Sequence, residues 1–111
     1  MEDFKKLIDE IHKNLKEFSE KTPEQMESFM KFLKNVEEEG SLDKKTKELI
    51  SVACSVLAKC TYCIAFHVKN ALELGASEQE ILESAWVAAL MGGGPSLMYA
   101  QLVLKALKDF S

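Results

Sequence analysis

Apolar residues recur every three or four positions along this chain, the spacing of one face of an α-helix, and nowhere alternate as a half-buried strand requires. Phe4, Leu7, Ile8, Ile11, Leu15 and Phe18 set the first stripe, with charged residues between them. Thr22-Pro23-Glu24-Gln25 then reads as an N-cap, a proline at the first helical position and a capping-box glutamine, ahead of Met26, Phe29, Met30 and Leu33. Gly40 is the expected stop. A third helix starts near Ser41 to Asp43 and carries Leu49, Ile50, Ala53, Cys54, Val56 and Leu57. A fourth runs from about Cys60 to Leu74, with Gly75 as a left-handed terminator. Ser77-Glu78-Gln79-Glu80 is a capping box for a fifth, and Gly92-Gly93-Gly94-Pro95 turns the chain into a last helix from Ser96 to about Lys108. The expected fold is an all-α bundle of about six helices.

A length of 111 residues predicts one domain with a real core. All 14 basic residues are lysine and the formal net charge is −4. Without arginine forks or concentrated positive charge the chain is a poor nucleic-acid binder. The N-terminus, Met1-Glu2-Asp3-Phe4-Lys5-Lys6, is charged and lacks the apolar run of a signal peptide or membrane span, so a cytoplasmic location is expected. Residues 85 to 91 and 97 to 107 are apolar on nearly every side, which predicts association through the C-terminal helices.

Three cysteines are an odd number for a structural disulfide framework. Cys54 lies on an apolar stripe with Ile50, Ala53 and Leu57 and reads as a small buried hydrophobe. Cys60 and Cys63 are different. On a helix advancing about 100° per residue, Cys63 falls roughly 60° from Cys60, with His67 between them on the same face. Cys60 also stands where the helix begins, and the unpaired N–H groups there favour thiolate over thiol. Glu48 lies eleven intervening residues upstream of Cys60. In an antiparallel hairpin with its turn near Lys59, Glu48 is about 16 Å along one arm and His67 about 12 Å along the other, so the two can face each other. Ser51 and Ser55 continue a small polar strip beside Glu48, leaving room where carboxylate and imidazole meet.

The residues at this point resemble the alkylhydroperoxidase D-like (AhpD-like) group of the carboxymuconolactone decarboxylase superfamily. The resemblance rests on Glu48, Cys60, Cys63 and His67 at their spacing, and on Ile64-Ala65-Phe66-His67, Gly75-Ala76, Glu80-Ile81-Leu82-Glu83 and Met91-Gly92-Gly93-Gly94-Pro95. It covers about residues 42 to 105, the motif-bearing core of a single domain spanning 1 to 111, with 1 to 40 as an N-terminal helical extension. It implies an AhpD-like helical bundle, homo-oligomers built as trimers or hexamers, and reduction of a hydroperoxide through a cysteine pair. By that analogy His67 relays a proton from Cys63 towards Glu48, Cys63 attacks the peroxide, and Cys60 resolves the sulfenic acid. An external dithiol or thiol protein serves as reductant, with no bound cofactor. Some peroxidase members carry a second histidine between the cysteines, where this chain has Tyr62. The decarboxylases that name the superfamily lack the paired cysteines.

The roles of the two thiols are open in the residues themselves. Proximity of His67 to Cys63 along the helix favours Cys63 as the attacking thiol, whereas the helix start favours the thiolate of Cys60. Two further readings come from other classes: a zinc-binding module using Cys60, Cys63, His67 and Glu48, and a non-catalytic oligomeric module whose thiols are incidental.

Overall fold

Local capping chemistry sets the ends of six helices in a computed structural model that describes residues 1–111. They are α1 (Phe4–Lys21), α2 (Pro23–Glu37), α3 (Lys44–Leu57), α4 (Thr61–Glu73), α5 (Glu78–Gly92) and α6 (Gly94–Asp109), with no strand. The Asp3 carboxylate accepts from Lys5 N–H and the Asp43 carboxylate from Thr46 N–H, each satisfying a donor that a helix start leaves free. Both bonds of the capping box before α5 are made: Glu80 N–H donates to Ser77 Oγ, and Ser77 N–H donates to the Glu80 carboxylate. Gly75 ends the α4 turn at φ 87°, a left-handed conformation that glycine adopts without steric cost.

Two expected signals act differently. Thr22 does not cap α2, because its hydroxyl turns back to donate to Phe18 carbonyl and closes α1 instead. The α2 helix stops at Glu37, before Gly40, where Lys47 Nζ reaches across from α3 to the carbonyls of Val36 at 2.7 Å and Glu38 at 2.5 Å. A lysine on a free helix C-terminus satisfies orphan acceptors and complements the helix dipole.

The core forms where α3, α4, α5 and α6 pack together, with α1 laid across α4 and α6. Val52, Val56, Ile64, Val68, Ile81 and Val103 are fully buried there, and Phe4, Leu7 and Ile8 join them from α1. The start of α1 is fixed to the end of α6: Asp109 Oδ2 accepts from Phe4 N–H at 2.9 Å and from Lys105 Nζ at 2.6 Å. These bonds, that to Lys105 first, hold the Asp109 carboxyl below its ordinary range. In contrast, α2 contributes no buried residue and packs chiefly on α1.

The glycine triplet is a helix-to-helix turn, as its composition predicts. Gly93 takes φ 72° between α5 and α6. Gly92 is needed for space: a Cβ there would stand 1.9 Å from Ser96 Oγ and 2.8 Å from Leu57 Cδ2.

Candidate active site

The α3–α4 hairpin turns at Lys59, a non-glycine residue at φ 55°, and delivers Cys60 as the N-cap of α4. Its Sγ accepts from Cys63 N–H at 3.2 Å, so sulfur here occupies the position a serine or aspartate oxygen takes at other helix starts. Cys60 and Cys63, with Cα atoms 5.2 Å apart, are joined as a disulfide. Neither is fully buried.

One turn further along α4, His67 Nδ1 lies 2.7 Å from Glu48 Oε2 on α3. Glu48 is only 5% exposed, an unusual place for a carboxylate unless it is paired. A bond from Nδ1–H to Glu48 leaves Nε2 as the imidazole nitrogen able to take or give a proton elsewhere. Phe66 sets its ring edge-on to His67 with centroids 5.5 Å apart, covering one side of the imidazole.

Of the four residues singled out by spacing, the structure thus joins Cys60 to Cys63 and Glu48 to His67, with Cys63 and His67 one turn apart on α4. Ser51 and Ser55 do not reach the site with their hydroxyls, which donate back to the carbonyls of Lys47 and Ser51. The small buried side chain of Ser55 still lets the two helices approach. Cys54 corrects an expectation. It is exposed, because the buried face of α3 is the one carrying Glu48, Val52, Ser55 and Val56, and Ile50, Cys54 and Leu57 point away.

Glu37 was not signalled by the four-residue spacing. From the end of α2 it lines the same cleft as Glu48. Burial, then the neighbouring Glu48 carboxyl, hold Glu37 above the ordinary carboxylate range, while His67 and Lys44 act in the opposite direction. The signal that could have found it is an acidic run, Glu37-Glu38-Glu39, at a helix C-terminus, where the dipole disfavours negative charge. Both glutamates line a cleft of about 530 Å³ between α2, α3 and α4, together with Lys34, Lys44, Asn70 and Glu73. No group of three or more His, Cys, Asp or Glu side chains is arranged to hold a metal ion.

The fold and the site define a class, that of all-helical proteins carrying a cysteine pair at a helix start beside a buried carboxylate–imidazole pair. This chain belongs to the carboxymuconolactone decarboxylase family, whose family model matches residues 23–106. It superimposes with a TM-score of 0.95 on a carboxymuconolactone decarboxylase family protein from Legionella pneumophila, at 40% identity over 100% of this chain and 99% of that one. A Thermotoga maritima structure matches with a TM-score of 0.88 at 26% identity, covering 95% and 92% of the two chains. In sequence, the Paracoccus denitrificans "uncharacterized protein 4 in cox locus" is 40% identical over 83 residues, 75% of each chain. The alkyl hydroperoxide reductase AhpD of Mycobacteroides abscessus is 36% identical over 52 residues, 47% of this chain and 30% of its own length.

Proposed function

We propose that this protein is a thiol-dependent hydroperoxide reductase in which Cys60 and Cys63 are the redox pair and His67 and Glu48 move the proton. The observation that carries this reading is the placement of a bonded cysteine pair at the start of the same helix whose next turn holds a carboxylate-paired histidine. The partial likeness to an alkyl hydroperoxide reductase supports it.

In the reduced protein His67, oriented through Nδ1 by Glu48, takes the Cys63 proton. The Cys63 thiolate attacks the peroxide, the O–O bond breaks, and the departing alkoxide takes a proton to leave as an alcohol while Cys63 becomes a sulfenic acid. Cys60, its thiolate favoured by the helix start, then attacks the Cys63 sulfur; hydroxide leaves and is protonated to water, and the disulfide forms. An external dithiol or thiol protein restores the pair by thiol–disulfide exchange, taking up the oxidation as its own disulfide. Without a hydroperoxide the same pair serves as a disulfide oxidoreductase, its dithiol form reducing an external disulfide and its disulfide form oxidising an external dithiol.

Substitution of the proton-moving residues tests the reading. Glu48→Gln and His67→Ala should each slow peroxide-dependent thiol loss by about 10²-fold while leaving helical content intact. Thiol loss at the parent rate in Glu48→Gln would remove Glu48 from the mechanism.

A further inference from the structure

We propose that Lys47 is a positioning residue of the relay: its ammonium ties the end of α2 over Glu48 and so keeps the Glu48–His67 pair out of water. The role rests on the reading of that pair given above. Lys47 and Glu48 are successive residues on α3, so their side chains leave the helix about 100° apart and reach different neighbours. Glu48 Oε2 lies 2.7 Å from His67 Nδ1 on α4, whereas Lys47 Nζ donates to the carbonyls of Val36 at 2.7 Å and Glu38 at 2.5 Å. Glu37, the residue between those two carbonyls, lines the cleft of about 530 Å³ and a second of about 480 Å³, and Glu48 is the other residue that the two clefts share. The end of α2 is therefore the ridge between two clefts, and Glu48, which lines both, is still only 5% exposed.

Core packing does not hold this ridge in place, since α2 buries no residue and packs chiefly on α1. The tether from α3 does. A charged donor bonds a carbonyl more strongly than a neutral one, and these two carbonyls stand at the negative end of the α2 dipole. Losing the ammonium frees the end of α2 and lets water reach the Glu48 carboxylate. The local dielectric rises, which weakens the bond that orients His67. The effect of Lys47 on the thiols thus runs through Glu48.

Two substitutions separate the tether from the bulk of the side chain. Lys47→Met keeps its length and removes the donor, and Lys47→Arg keeps donor and charge. In Lys47→Met, amide hydrogen exchange over the last two turns of α2 should quicken about tenfold while that of α4 to α6 stays at the parent rate. Peroxide-dependent thiol loss in the same protein should slow about fivefold. Lys47→Arg should recover most of both effects, and helical circular dichroism verifies folding of each variant. In Glu48→Gln, where thiol loss is already slow, adding Lys47→Met should slow it no further, because the tether acts through Glu48. Parent-like exchange at the end of α2, or parent-like thiol loss, in folded Lys47→Met overturns the assignment, as does further slowing in the double variant. If Glu48→Gln alone reacts at the parent rate, it is the relay reading that fails, and exchange at the end of α2 still decides whether Lys47 holds it.

Discussion

At the scale of single residues, the decisive feature is the substitution of sulfur for oxygen at a helix N-cap. Cys60 Sγ accepts the Cys63 amide, so a thiolate on Cys60 gains a donor and the positive end of the α4 dipole. In the proposed mechanism this position suits a resolving or leaving thiol, while the histidine one turn away activates Cys63. The division of labour then predicts that Cys63→Ser abolishes sulfenic acid formation and that Cys60→Ser lets a sulfenic acid be trapped on Cys63 by a dimedone-type reagent. A sulfenic acid accumulating on Cys60 in the Cys63→Ser protein would reverse the two roles. Sequence spacing made these four residues legible because three lie on one helix and the fourth follows from hairpin geometry. It could not show Glu37, whose place in the cleft beside Glu48 depends on how α2 returns to α3. It misplaced Cys54 for a related reason: α3 has apolar residues on two sides, and the buried side is decided by the partner that Glu48 finds on α4.

At the scale of elements, local chemistry accounts for most boundaries. Asp43, Ser77 and Gly75 act where their residue types predict, since their caps involve only near neighbours. Thr22 and Gly40 do not, because a closing bond to Phe18 and the reach of Lys47 from a different helix override the local signal. The glycine triplet separates flexibility from space. Gly92→Ala must push apart Ser96 and Leu57 and should destabilise the fold by about 1–3 kcal/mol. Gly94→Ala meets nothing within 4 Å and should be close to neutral. Chemical denaturation of the two variants checks this contrast, and equal stabilities would show that the α3–α5–α6 junction is looser than its geometry.

At the scale of the whole molecule, the C-terminal helices present apolar surface that one copy does not cover. Trp86 is 62% exposed, Leu90 81% and Met91 72%, with Val87, Met98 and Leu104 beside them in sequence on α5 and α6. Exposed apolar groups on this scale favour association, and we propose a homo-oligomer, a trimer or hexamer, formed through these helices. Light scattering at micromolar concentration should give a multiple of the 12.5 kDa chain, and Leu90→Lys should shift it towards the monomer. A stable monomer in the unsubstituted protein would contradict the proposal. No helix is long and apolar enough to cross a membrane.

The central claim, that one subunit reduces a hydroperoxide through Cys60 and Cys63, is tested most directly by peptide mapping of the fully reduced protein after one equivalent of an organic hydroperoxide. The account predicts loss of two thiols per chain, an intrasubunit Cys60–Cys63 link, a free Cys54 and one equivalent of the alcohol. A dominant bridge through Cys54, or survival of all three thiols while peroxide is consumed, would contradict it.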